Sequence, residues 1–479
     1  MDYERIKDLA KIEGKRVNDL LALAPGNDPF YIGRPADMTA ARWFADLLQS
    51  SGLDSVEALH LRRVHYRLVA AADVLMPTGA AYENTDSCWK YLCNAGKYAR
   101  VLGYVNEDSF VDRRNPDPII NVTYTGDSNE PDYSIQLPYG LPLPPSLPKL
   151  SIPDFEIDWP RLSADSYDPR QYHVEVWAEK TTMNDELIPI CGRYRVNLIT
   201  GMGEMSWPAV LNFLKRVKRS SMPARILYIS DYDPAGLGMP ISIARKIEFA
   251  QYNRPEFTGL DVRLQPIILT ADQVQQYDLP RTPVKDTDLR KDNWQSTHGQ
   301  GAVELDALEA LRPGTFADIV ARHIRRYRDS NLIFEARRVE EAFQEYLDRV
   351  AEKATADLAD EKATIAAEYA MLFEKLTRLR DDLNAAVEPY RAALNDHAEQ
   401  LNNLNNRASS LRQRIEDALD AADVDTTDYE MPWPDLPAED DTLFASWRDY
   451  FSQLDWYKTY REYGHIGAAA STNGNGYHG

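Results

Sequence analysis

The sequence is poor in cysteine, in long apolar runs and, through its C-terminal third, in glycine. Three cysteines in 479 residues cannot build a disulfide framework and point to a reducing compartment. Cys88 and Cys93 lie five apart on a helical stretch with no second Cys or His pair beside them, so no zinc site is expected. No run approaches the roughly 20 apolar residues of a membrane span, and no membrane partner is expected. The opening Met-Asp-Tyr-Glu-Arg lacks the charged and apolar regions of a signal peptide, so the expected location is the cytoplasm. No Gly-rich phosphate loop of the Walker kind is present, and no internal repeat stands out.

Charge of one sign is in excess but unevenly spread. The net charge is −21, which opposes binding to a phosphate backbone. From Glu335 onward there are thirty acids and fifteen bases, which leaves the first 334 residues at about −6. The acidic load therefore sits mostly in one region, and a local basic groove elsewhere is compatible with the total.

Among the residues that are there, Ile226-Leu-Tyr-Ile-Ser-Asp-Tyr-Asp-Pro-Ala-Gly236 is the most informative. Its apolar run reads as a central parallel strand. Asp231 and Asp233 follow at i and i+2, a spacing that puts both side chains on one side. Pro234 and Gly236 then open a turn into a helix. Two acids on one side repel unless a cation lies between them, and hard oxygen ligands suit magnesium. Upstream, Gln171 to Lys180 reads as a second strand ending at Glu179-Lys180. Between the two strands come a helical segment (185–193), a strand (195–200), a turn at Gly201 and Gly203, and a helix (207–218). A helix (238–252) and a strand (261–269) follow. This alternation predicts a doubly wound parallel sheet, whose sites form outside the carboxyl ends of its strands. A Rossmann-like sheet whose acids merely cap helices is the plainer alternative.

The strand-end Glu179-Lys180, the turn Thr200-Gly-Met-Gly203 and Asp231-Tyr-Asp233-Pro-Ala-Gly together resemble a Toprim domain, the metal-binding domain of topoisomerases, bacterial-type primases and certain nucleases. The resemblance covers roughly residues 172–269. Val303-Glu-Leu-Asp-Ala-Leu308 is similar to the Glu-x-x-Ala-Leu segment that follows Toprim in the topoisomerase VI A subunit. Leu61-Arg-Arg-Val-His-Tyr-Arg-Leu-Val-Ala70 resembles the Arg-x-x-Tyr-Tyr segment of the winged-helix domain in that subunit and in the meiotic double-strand-break transesterase. Tyr66 then matches the tyrosine that attacks DNA and stays linked to its 5′ end, and His65 replaces the preceding Tyr.

The resemblance implies DNA strand cleavage with Tyr66 as nucleophile, Arg63 and Glu179 as further catalytic residues, and magnesium (or manganese) on Glu179, Asp231 and Asp233. A phenol is a weak nucleophile at neutral pH and needs positive charge nearby. Arg62, Arg63 and Arg67 can supply it. Lys90, Lys97 and Arg100 on the next helix, then Arg113, Arg114 and Lys180, are the other candidate DNA contacts, although a solvated helix face explains the helical ones equally well. The family also implies a homodimer on double-stranded DNA at the nucleoid, with a separate ATPase subunit for strand passage. Two alternatives stay open. One is a tyrosine-independent Toprim endonuclease with an ATPase partner in mobile-element or anti-phage defence. The other is a non-enzymatic DNA-binding scaffold.

The organisation expected is a helical segment (1–54), a winged-helix domain (55–125), a Pro-rich linker (126–168), a Toprim domain (169–330), a helical coiled-coil arm (331–422), and an acidic linker with an aromatic segment and a disordered tail (423–479). The fold class is thus α/β plus α. In the arm, Leu383, Tyr390, His397, Leu404 and Leu411 repeat every seven residues, interleaved with Val387, Leu394, Leu401, Ala408 and Ile415, which is a coiled-coil seam. Pro389 should break it, giving either a two-helix antiparallel arm or a kinked dimer rod. The aromatic cluster Phe444, Trp447, Tyr450, Phe451, Leu454, Trp456 and Tyr457 should bury against something or bind a partner.

Overall fold

The computed structural model describes residues 1–54, 56, 59–71, 73–110, 115–123, 133–136, 161–164, 170–286, 288–328, 331–383, 391–422 and 442–466. They form a mixed α/β protein, mostly helical. Two compact units divide the chain: Met1–Asp127 with Arg170–Asp329 and Asp435–Gly479, and Ser128–Pro169 with Ser330–Pro434. The strands in chain order are β1 (Tyr133–Gln136), β2 (Arg161–Ala164), β3 (His173–Ala178), β4 (Asn197–Thr200), β5 (Ala224–Ile229), β6 (Val262–Ile268) and β7 (Phe444–Ala445).

In the first unit the sheet runs β4-β3-β5-β6-β7. β3 and β5 are buried along their whole lengths, as central parallel strands are; in β3 this takes in His173 and Glu175, which pair with each other, and Glu175 also pairs with Arg216. Strands β3 to β6 are mutually parallel, and Ala178 pairs with both Thr200 and Ile229. The carboxyl ends of β4, β3 and β5 are therefore level. The sheet is not wholly parallel as expected: β7 pairs antiparallel with β6. An edge strand leaves a row of backbone donors and acceptors open, and this return of the C-terminal segment covers part of it.

The aromatic segment expected to bury against something does so in part within its own unit: Trp447 is exposed, and Phe451 and Trp456 are half-buried. Tyr450, Leu454, Tyr457 and Tyr460 of the helix Tyr450–Tyr463 are buried in the sheet's core. A smaller core joins the helices Pro35–Ser50, Leu61–Ala70 and Asp86–Val101. Thr85 caps the last of these by accepting from the Cys88 N–H at 3.3 Å, and Gly103 (φ 75°) follows its end in the left-handed conformation. No strand follows this helix within residues 102–110. A 3₁₀ turn at Glu107–Ser109 stands after it, and pairing in this region is limited to the bridges Leu59–Phe110 and Leu75–Ala81 among the described residues.

In the second unit β1 and β2 pair antiparallel, and long helices span Leu332–Ala354, Ala359–Leu383 and Arg391–Asp420. Arg407 pairs with Glu368, and Arg414 with Glu361. A step of seven along one helix is matched by a step of seven back along the other, so these two helices are antiparallel within one chain. Leu401, Leu404, Ala408, Leu411 and Ile415 are buried as the seam requires, and His397 sits half-buried 3.4 Å from Gln400. The side chains of Leu383, Val387, Pro389, Tyr390 and Leu394 lie outside the described residues.

Candidate functional site

The level strand ends bring the acids together. Glu179 follows β3, and its N–H donates to the Ile229 carbonyl at 2.9 Å. Two residues past β5, the Asp231 N–H donates to Glu179 Oε2 at 3.3 Å. Asp233 is the N-cap of the helix Pro234–Asn253, its Oδ1 accepting from the Gly236 N–H at 2.6 Å. Gly236 is there because nothing larger fits: a Cβ on it would lie 2.0 Å from the Asp231 carbonyl oxygen. Gly203 (φ 99°) turns the chain after β4 so that its N–H donates to the Glu179 carbonyl at 3.2 Å.

Lys180 and, from far along the chain, Glu304 and Leu305 complete the cluster. Lys180 Nζ lies 2.5 Å from Asp231 Oδ2 and also pairs with Glu304. The Leu305 N–H donates to Asp231 Oδ1 at 2.9 Å. Val303 and Tyr232 exchange backbone hydrogen bonds of 2.9 and 3.0 Å, which docks the Val303–Leu308 segment on the aspartate loop. Glu304 was absent from the expected site. The one signal for it in the sequence was the segment's own likeness to Glu-x-x-Ala-Leu.

Four carboxylates thus gather at these strand ends, and Lys180 pairs with two of them, Asp231 and Glu304. Burial, then Asp231, then Asp233 push the Glu179 carboxyl up to about 7. Burial also raises Asp231, against the opposing pull of Lys180 and the Leu305 N–H. The oxygen donors and surplus negative charge are the kind that hold a hard divalent cation. A closed three-ligand arrangement of His, Cys, Asp or Glu does not form among the described residues. Lys180 engages one face of Asp231, and the helix N-terminus engages Asp233.

Tyr66 is exposed, at 58 %. It shares the outer face of its helix with Arg62, Arg63 and Arg67, while Val64, His65 and Leu68 point inward. His65 is held by Tyr82 Oη at 2.7 Å and Asn84 Oδ1 at 3.1 Å. Tyr66 makes no hydrogen bond with the acid cluster among the described residues. Lys90 is exposed, and Lys97 and Arg100 are half-buried. Lys180 is engaged by Asp231 and Glu304 rather than turned to solvent alone. Arg113 and Arg114 lie outside the described residues. No helix among the described residues is long and apolar enough to cross a membrane. Comparison with protein-family models and with curated proteins finds no match.

Proposed function

We propose that the chain is a Toprim-type DNA-cleaving enzyme of the topoisomerase VI A kind, with a winged-helix tyrosine domain and a Toprim sheet. One observation carries this reading: Glu179, Asp231 and Asp233 converge at level carboxyl ends of two adjacent parallel strands. Glu179, Asp231 and Asp233 would hold magnesium, or manganese in its place, once Lys180 yields its contact with Asp231. The ion, when bound, supplies charge neutralisation at a phosphodiester.

The chain's own residues do the rest. Arg62, Arg63 and Arg67 grip the phosphate beside Tyr66. The Tyr66 oxygen forms the bond to phosphorus as the bond to the 3′ oxygen breaks. The phenolic proton goes to solvent, and the departing oxygen takes one up. The resemblance implies a homodimer in which the tyrosine of one subunit faces the acids of the other, and the lack of any hydrogen bond between Tyr66 and the acids among the described residues supports it. Double-stranded DNA is the substrate, the cytoplasmic nucleoid the location, and a separate ATPase subunit the partner for strand passage.

The second reading is a tyrosine-independent nuclease, favoured by the absence of Tyr66 from the acid cluster. Cleavage of supercoiled plasmid with magnesium, followed by SDS trapping, separates the two. Transesterification predicts that Tyr66→Phe and Glu179→Gln are both inactive and that wild type leaves protein on 5′ ends. If Tyr66→Phe still cuts, the tyrosine is structural and water is the nucleophile. No cutting by wild type with its ATPase partner present would overturn both in favour of a scaffold.

A further inference from the structure

The Gly201–Glu204 turn has the acids at one end and a cavity of about 910 Å³ at the other: Gly203 touches Glu179, and Glu204 lines the cavity. The helix Asp86–Val101 presents Trp89, Cys93, Lys97 and Arg100 to it at helical spacing. Arg62 joins from the start of the Tyr66 helix. Glu204, Trp207 and Lys246 come from the sheet domain. Four cations thus line the cavity against one carboxylate, in a chain whose net charge is −21.

The pairing of these cations is incomplete. Lys246 is satisfied, at 2.7 Å from Glu204 Oε1 and 2.6 Å from the Met205 carbonyl. Arg100 donates to the Gly96 carbonyl at 3.0 Å and lies 5.1 Å over the Phe110 ring. Lys97 and Arg62 pair with no carboxylate among the described residues. Lys97 Nζ reaches the Gly26 carbonyl at 3.3 Å, and Arg62 lies 5.9 Å over the Trp89 ring. Burial and then Lys246 lower the Lys97 ammonium from its usual range, while Glu204, Asp37 and Asp28 act the other way. An anion between Lys97 and Arg62 relieves the cost of desolvating that ammonium. A cavity of this size takes a small molecule and not a duplex, and the Trp89 face beside the cations suits a base.

We propose that this cavity binds a phosphate-bearing nucleotide, free or as an unpaired residue of a strand, with the phosphate between Arg62 and Lys97 and the base against Trp89. The assignment rests on the cavity and not on the acids. The test is fluorescence anisotropy of a labelled oligothymidylate in EDTA at low salt, with dAMP as competitor. No cutting is involved, so a failure to cleave plasmid leaves this inference standing. Lys97→Gln and Arg62→Gln should each weaken binding by about tenfold, and Arg219→Gln, an exposed cation outside the cavity, by less than about twofold. Displacement by dAMP assigns the site to free nucleotide as well as strand; weakening without displacement assigns it to strand alone. Equal weakening by all three variants, or no binding by wild type, overturns the proposal. If Lys97→Gln fails to fold, Trp89→Leu, which leaves the Tyr66 face intact, carries the same test.

Discussion

Glu179 is a buried carboxylate with two more beside it, and its proton affinity makes stability depend on pH. Its native proton is lost only near pH 7, while an unfolded glutamate releases it near 4.5. Between those values the native state holds a proton that the unfolded chain has given up, so stability falls as pH rises through this window. The loss is complete above the native value and amounts to about 3 kcal/mol. Glu179→Gln removes it: chemical denaturation in EDTA should find the variant gaining stability over wild type between pH 5 and pH 8. Parallel pH profiles for the two proteins would contradict this. Gly236 limits the same loop sterically. Gly236→Ala drives a methyl into the Asp231 carbonyl and should cost at least about 2 kcal/mol, read as a lower denaturant midpoint. Both acids of the Asp-x-Asp pair and Glu179 were legible in the sequence, because an apolar run that stops at a carboxylate marks a strand end. Glu304 was not, because its place is set by the docking of Val303 on Tyr232, a contact across some seventy residues.

At the scale of elements, periodicity read the strands and helices around the acids to within a few residues, because buried parallel strands leave apolar runs that polar loops cannot imitate. It could not supply β7, whose two residues carry no period of their own. The arm was legible as a seam but not in its direction: a heptad repeat is the same for an antiparallel hairpin and for a dimer rod. The ion pairs Arg407–Glu368 and Arg414–Glu361 decide it. With Glu361→Cys and Arg414→Cys together, a short bis-maleimide should link the two within one chain and leave a monomer on denaturing gels. A covalent dimer would instead indicate a rod between chains. The seam itself is testable through Leu411, which is fully buried. Leu411→Ala should cost the arm about 2–5 kcal/mol, seen as earlier loss of helical signal on heating.

The first unit is closed by a group that no local pattern could reveal. Arg245 is fully buried in the helix Pro234–Asn253. It pairs with Asp28 at 3.1 Å and with Glu248 at 2.7 Å, and it donates to Tyr450 Oη at 3.0 Å. Tyr450 in turn donates to the Leu20 carbonyl at 2.5 Å, and the Arg245 guanidinium lies 4.1 Å over the Phe30 ring. The N-terminal segment, the helix that begins at Asp233 and the C-terminal aromatic helix thus meet on one cation. The aspartate loop is held at one end of that helix and the network grips its middle, so damage to the network should reach the acids. A buried pair broken on one side leaves an unpaired charge, at a cost of about 3–5 kcal/mol. Arg245→Met strands Asp28 and Glu248 and should show that loss in denaturant unfolding. Tyr450→Phe keeps the ring and removes two hydrogen bonds, so it should cost about 1–3 kcal/mol. The two losses should fall short of additive in the double variant, because Tyr450 and Arg245 share a bond. Full additivity would mean that the C-terminal helix is held by its apolar face alone and that the cation serves only the N-terminal segment.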